Sequence, residues 1–297
     1  MSPIAIIGAS SMVGSRFCEL ADKSFELIKT DLNGQISVDI TDKKNVENFF
    51  AEQNFEYVIL FSAFTDVDAA EIQRNDKNES CWRINVIGSE NIVNVASKHK
   101  KKLIILSTDF VFDGSSGPYD EDDLYGPDLE KVSWYGQTKI ESEKKVKTLT
   151  DSIILRISYP YRAKFPLKED FARSILRKYE EKNLYPMFSD QTITPTFADD
   201  VFSAIEILIS KRQKGIFHLG SPINTTPFDF ARELINTSKG NPDKIEEGSL
   251  AELLKKPGSI PRPLKGGMKV EKMTNLGFKP TDYKLGIKEL FAQMQDH

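Results

Sequence analysis

A doubly wound parallel α/β sheet joined to a second, smaller α+β unit is the fold class this 297-residue chain predicts. Three observations carry that expectation. Short runs of Ile, Leu and Val alternate with amphipathic helical patterns, and runs apolar on both faces suit a parallel sheet covered by helices on each side. A glycine-bearing turn, "IIGASSMVGSRF", leaves the first run and opens the first helix. After Ile157 the pattern loosens into prolines, aromatics and short helices.

The runs "IAIIG", "FELIKT", "YVILFSA", "KLIILST", "SIILRIS" and "GIFHLG" read in order as strands. Between them, helical patterns occupy residues 12–23, 43–52, 80–98 and 134–149. Repeated βα units of this kind imply right-handed crossovers. "SYPYRAKFPLKEDF" and the proline-rich "KKPGSIPRPLKGG" break the repeat. The expected division is therefore residues 1–158 and 192–224 in a nucleotide-binding unit, with 159–191 and 225–297 in a substrate-binding unit. No internal repeat or low-complexity tract is evident.

Composition narrows the function classes. Hydrophobic residues make up 39% and charged residues 28%, with a net charge of -4. Interspersed charge of that sign gives no support to nucleic-acid binding. No apolar run approaches the ~20 residues of a membrane span. A strand begins almost at the N-terminus, so no leader peptide is expected ahead of it. Cys18 and Cys81 are far apart and fit small buried residues in a reducing cytoplasm. His99, His218 and His297 are too scattered for a zinc site, and no metal is expected.

The glycine turn suggests a dinucleotide. Gly8 permits the tight turn, Gly14 lets the helix approach the sheet, and the helix N-terminus offers free amides and a positive dipole end to a pyrophosphate. Ser11 takes the middle glycine's place, so the phosphates must come near a small side chain. Glycines also serve ordinary strand-to-helix turns, but the first βα unit is where a nucleotide turn belongs. Asp31 ends the second strand, 23 residues after Gly8. An acid there accepts from a ribose 2′-hydroxyl and repels a 2′-phosphate, which leans toward NAD over NADP. Lys29 and Arg16 blunt that preference. Asp39 and Ile40, in "VDITD", fall where an adenine edge could be met.

Tyr135 and Lys139 stand four residues apart, on one helical face. A free phenol holds its proton with a pKa near 10, and bringing it toward ~7 takes about 4 kcal/mol. One cation ~4 Å away in an effective dielectric of ~20 supplies about that much, and nearer 3 at ~6 Å. Lysine alone is marginal, and an oxidised nicotinamide would add a second positive charge. A hydroxyl should hold the substrate oxygen, and "LIILSTDFVFDG" places Ser107, Thr108 and Asp109 at the carboxyl end of a strand, the ligand edge of open α/β sheets.

In these motifs the chain resembles the extended short-chain dehydrogenase/reductases, with a Rossmann nucleotide-binding unit. Within them it is most similar to the dTDP-4-dehydrorhamnose reductase (sugar-nucleotide-binding) family. "STDFVFDG", "PYDEDD", "YGQTK", "DQTITPT" and "PRPLKGGMKVEKMTNLGF" occur in the family's order along nearly the whole chain. The resemblance implies Thr108, Tyr135 and Lys139 as the catalytic trio, with Tyr135 and Lys139 also touching the cofactor. It places Ser11, Met12 and Val13 on the pyrophosphate, and Ala63, Phe64 and Thr65 along the cofactor cleft. Thr108, Asp109, Tyr159 and Arg262 would face the sugar nucleotide, and Asn85 would support the lysine through water. Phe110 follows Asp109 where dehydratases of the superfamily carry Glu, which favours a plain ketone reductase. Leu60, Phe61 and Arg162 depart from the family pattern near the cofactor or sugar pocket.

The implied activity is NADPH- or NADH-dependent reduction of the 4-keto group of a nucleotide-linked deoxysugar, as in dTDP-rhamnose biosynthesis. The implied partner is that small-molecule substrate, the location cytoplasmic, and a homodimer is the assembly the reading allows. Two alternatives stand beside it: an epimerase that retains NAD, and a regulatory subunit resembling the methionine adenosyltransferase β subunit. Of the remaining segments, "SKHKKKL" and "DEDD" are expected to lie in water, the lysines favouring a helix C-terminus. Arg262 could pair with a phosphate or form a structural ion pair.

Overall fold

A computed structural model describes residues 3–295, so His297 lies outside the described residues. Its main sheet starts with β1 (Ile4–Ile7), followed by α1 (Met12–Ala21), β2 (Leu27–Thr30), α2 (Lys43–Glu52), β3 (Tyr57–Leu60) and α3 (Val67–Ile72). The helical stretch 80–98 is α4 (Ser80–Trp82) and α5 (Ser89–Lys98) joined by a π-helical turn, Arg83–Gly88. Then come β4 (Lys102–Thr108), α6 (Trp134–Val146) and β5 (Ser152–Tyr161).

Alternation along β1 explains why its run is apolar throughout. Ile4 and Ile6 enter one buried cluster with Val13 and Phe17 of α1, while Ala5 and Ile7 enter another with Val46 and Phe49 of α2. Successive strand side chains point to opposite faces, and both faces are covered by helices. The strand order is β2-β1-β3-β4-β5, every pair parallel. Between β1 and β3 the order reverses, and the chain leaving them diverges to opposite faces. That switch point opens a crevice at the strands' carboxyl ends.

The remaining elements are α7 (Phe171–Glu180), β6 (Met187–Phe188), β7 (Pro195–Phe197), α8 (Asp199–Ser210), β8 (Gly215–Leu219), α9 (Pro227–Thr237), β9 (Glu247–Gly248), α10 (Leu250–Leu254), α11 (Glu271–Asn275) and α12 (Tyr283–Gln295). Strand β5 runs beyond the "SIILRIS" expected from sequence. Ile153–Ile157 pairs with β8, and its last residues pair with β7 after a register shift between Ser158 and Tyr161. Strand β7 is hidden in the sequence because Pro195 opens it, a position where a missing amide is tolerated. A further core joins Tyr161, Phe197, Ile175, Phe230, Leu234 and Ile287, and β6 pairs with β9 beside it. Among the described residues no helix is long and apolar enough to cross a membrane.

Candidate active site

The crevice contains two cavities that share Ser11 and Ala63. One, of about 530 Å³, runs past Gly8, Asp31, Asp39 and Ile40. The other, of about 490 Å³, continues past Met12, Val13 and Thr65 to Thr108, Tyr135 and Lys139. Together they form a trough from the end of β2 to the start of α6.

Its floor depends on Gly8, at φ +86°, where a Cβ would sit 2.6 Å from the Ser62 amide nitrogen. A Cβ at Gly14 would strike the Gly8 carbonyl, so the first turn of α1 lies against the loop. Ser11 caps α1: its hydroxyl accepts from Gly14 N (3.1 Å) and donates to Gly8 O (2.8 Å). The serine in the middle glycine's place thus spends its side chain closing the turn, leaving backbone amides at the helix N-terminus for an anion. A long trough with a glycine-lined floor and a free helix end fits a dinucleotide.

Asp31 stands at the trough's far end. Its Oδ2 accepts from Ser10 N (2.8 Å) and Ser10 Oγ (2.5 Å), and Oδ1 accepts from Leu32 N (2.8 Å). A carboxylate has about four lone-pair sites, so one remains on Oδ1 for a ribose hydroxyl. Asp39 uses its own Oδ1 on Thr41 N and Oγ1, both at 2.8 Å, which braces the wall beside Ile40.

At the near end, Tyr135, Thr108, Lys139 and Asp109 are all buried, and all line the second cavity. The Thr108 hydroxyl and the Tyr135 phenol line the same cavity wall, and the hydroxyl favours the phenol's ionised form. Asp109 Oδ1 is 3.2 Å from Thr108 Oγ1, and Ser158 Oγ donates to its Oδ2 at 2.8 Å. Burial raises the Asp109 carboxyl to about 7. Tyr159 reaches the same cavity from a backbone at φ +43°, within the register shift of β5. A bulge of this kind re-aims a side chain, and the strain is held by its surroundings: Tyr159 packs edge-on against Phe171 (4.8 Å) and accepts from Gln191 Nε2 (3.1 Å). Arg262 Nη2 donates to Asp68 Oδ1 (2.5 Å) at the rim.

Several expectations need correction. Lys139 does not lower the Tyr135 phenol here. Burial pushes the phenol up, as does the neighbouring Asp109 charge, and the Thr108 hydroxyl opposes them. The lysine instead donates to Leu106 O (2.8 Å), and burial lowers it to about 8. Phe64 turns away from the trough into a cluster with Trp134 and Tyr135, while Ala63 and Thr65 line the cavity. Asn85, on the π turn, clamps the backbone of Phe64, accepting from its N (2.9 Å) and donating to its O (3.0 Å), and also donates to Thr138 Oγ1 (2.9 Å).

Glu121 of "DEDD" is buried and accepts from His218 N (2.9 Å). Lys101 of "SKHKKKL" is not simply solvated, since it donates to Phe55 O. Neither departure blocks the site. Phe61 lines the cavity wall, and Arg162 lies outside it, bonded to Glu19, Ser15 and Met12 O.

Sequence reasoning missed Ser158, Tyr185 and Phe171. Only Ser158 left a signal: Arg156 and Ser158 are polar two residues apart and interrupt the apolar run that begins at Ile153, so both face one side.

The family model described as RmlD substrate binding domain matches residues 1–296. A probable low-salt glycan biosynthesis reductase, Agl14, of Haloferax volcanii is 31% identical, over 76% of this chain and 73% of its own length. A dTDP-4-dehydrorhamnose reductase of Aggregatibacter actinomycetemcomitans is 26% identical, over 98% and 99%. The crystal structure of a dTDP-4-dehydrorhamnose reductase from Clostridium acetobutylicum superposes with a TM-score of 0.85 at 27% identity, covering 99% of both chains.

Proposed function

This chain belongs to the RmlD substrate binding domain family, and on that premise we propose that it reduces the 4-keto group of a nucleotide-linked deoxysugar with a nicotinamide dinucleotide. The observation that carries the reading is the meeting of Thr108, Tyr135 and Lys139 at the end of a trough that begins at Gly8 and Asp31. The dinucleotide, when bound, supplies the hydride that reduces the carbonyl carbon.

The chain's own residues do the rest. Gly8, Ser11, Met12 and Val13 receive the pyrophosphate, Asp31 the adenosine ribose, and Asp39 and Ile40 the adenine. Asp31 sets a preference for the cofactor without a 2′-phosphate. Tyr135, kept protonated by burial, gives its proton to the carbonyl oxygen. Thr108 donates a hydrogen bond to that oxygen, and Lys139 holds the nicotinamide ribose. Asp109, Tyr159 and Arg262 face the sugar nucleotide, Arg262 being suited to a phosphate. Residues 159–191 and 225–297 form the substrate-side unit, and the enzyme works in the cytoplasm.

The test is NADH and NADPH consumption against a panel of dTDP-, GDP- and UDP-linked 4-keto sugars. The Tyr135→Phe variant should lose about 10²- to 10⁴-fold in turnover. A Tyr135→Phe protein consuming cofactor at the parental rate would end the assignment. Stoichiometric nucleotide in the purified protein, with no net consumption, would replace it with an epimerase.

A further inference from the structure

Asp109 is 1% exposed, yet among the described residues no cation pairs with it. Of the positive groups around its cavity, Lys139 donates to Leu106 O, Arg262 to Asp68, and Lys168 is exposed. Phenols face it from Tyr135 on α6 and Tyr159 on β5, with Tyr185 across the cavity. The acids in the lining are Asp170, bonded to Arg173, and exposed Glu169. Burial without a counterion favours the neutral form of this carboxyl, the hydroxyls of Ser158 and Thr108 and the amides of Asp109 and Phe110 opposing it, and the balance puts it at about 7.

The protonation state decides where the Thr108 proton points. Thr108 Oγ1 already accepts from Phe110 N (3.2 Å) and has one proton to give. An ionised Asp109 has none, so it can only accept a hydrogen bond from the threonine across the 3.2 Å contact. A neutral Asp109 can donate across the same contact, which frees the threonine proton for the oxygen beside Tyr135.

We propose that Asp109 is a positioning residue that works as a neutral acid: it donates to Thr108 Oγ1 and thereby aims the Thr108 proton at the substrate's carbonyl oxygen. This rests on the reductase reading above and deepens it. Ionisation of Asp109 reverses the contact and switches off the donor.

Two measurements test this. Infrared spectra of the substrate-free protein, taken from about pH 6 to about pH 8 on either side of the carboxyl's value, should show a protonated-carboxyl C=O band that fades with rising pH. Asp109→Asn should lack that band. In turnover with the keto-sugar nucleotide, wild-type kcat should fall through the neutral range. Asp109→Asn, whose amide donates at every pH, should lose that limb from kcat. In a Thr108→Val background the Asp109→Asn change should leave the pH profile unaltered, and thermal melting confirms that each variant folds.

An unchanged limb in Asp109→Asn overturns the proposal, as does a carboxyl already ionised at the low end of the range. Absence of any wild-type turnover sinks the reductase reading and this role with it, while the infrared band still decides whether the acid is neutral.

Discussion

Lys139 and Glu143 lie one helical turn apart on α6 and reach adjacent residues of β4: the ammonium donates to Leu106 O (2.8 Å), and the carboxylate accepts from Ser107 Oγ (2.5 Å). Burial lowers the lysine to about 8, and the Glu143 charge holds it up. In the unfolded chain a lysine titrates near 10.4. Between those values the unfolded state binds more protons, so stability contributed through Lys139 rises with pH across that window. Below it, the folded protein carries a penalty of up to about 3 kcal/mol. Lys139→Met should therefore melt higher than wild type at neutral pH, and the difference should shrink as pH rises from about 8 to about 10. An unchanging difference in denaturant midpoints would contradict this.

Glu143 also pairs with Arg156 at 2.7 and 3.0 Å, both side chains being essentially inaccessible. Arg156 Nη1 in turn donates to His218 Nε2 (3.3 Å), whose Nδ1 donates to Lys269 O (3.1 Å). Removing one partner strands a buried charge, so Glu143→Gln should cost about 3–5 kcal/mol. Replacing both, as Glu143→Met with Arg156→Met, should cost less than the single change. Urea unfolding of the three proteins checks the order.

Asp31 should govern cofactor choice. Two unit charges 4 Å apart repel by about 1 kcal/mol in water, and a 2′-phosphate carries more than one. Asp31→Asn should raise the NADPH-to-NADH ratio of kcat/KM by about tenfold. The asparagine can still bond Ser10, so loss of activity with both cofactors would point to a broken loop instead.

Arg262 and Asp68 meet at the rim of the substrate cavity, with Asp68 64% exposed. Asp68 competes with any phosphate that Arg262 is to hold. Asp68→Ala should lower KM for the sugar nucleotide a few-fold at low salt, an effect that screening erases at higher ionic strength. Arg262→Ala should raise KM by about 10- to 100-fold with kcat little altered. Equal losses in kcat would place Arg262 in the chemistry.

Much of this architecture could be read from the residues. The all-apolar runs marked strands covered on both faces, and Gly8 and Gly14 marked the turn, where a Cβ at either position would strike neighbouring atoms. The spacing of Tyr135 and Lys139 put both on one face. What could not be read depends on contacts remote in sequence. The lysine's ammonium is taken by a carbonyl 33 residues away, and Asp109 finds Ser158 49 residues on. The bulge that aims Tyr159 leaves no periodic trace, nor do the bonds of Asn85 to the Phe64 backbone and Thr138.

Strand β5 hydrogen-bonds β8 along its first half and β7 along its second, and it carries Arg156, Ser158 and Tyr159 within four residues. Inserting or deleting one residue there would swap buried and cavity-facing side chains over everything beyond it. Descendants of this protein that take a different sugar therefore have little freedom to change the strand's length. Their divergence should accumulate instead around residues 164–170, Tyr185 and Arg262, where the backbone can vary without disturbing the sheet.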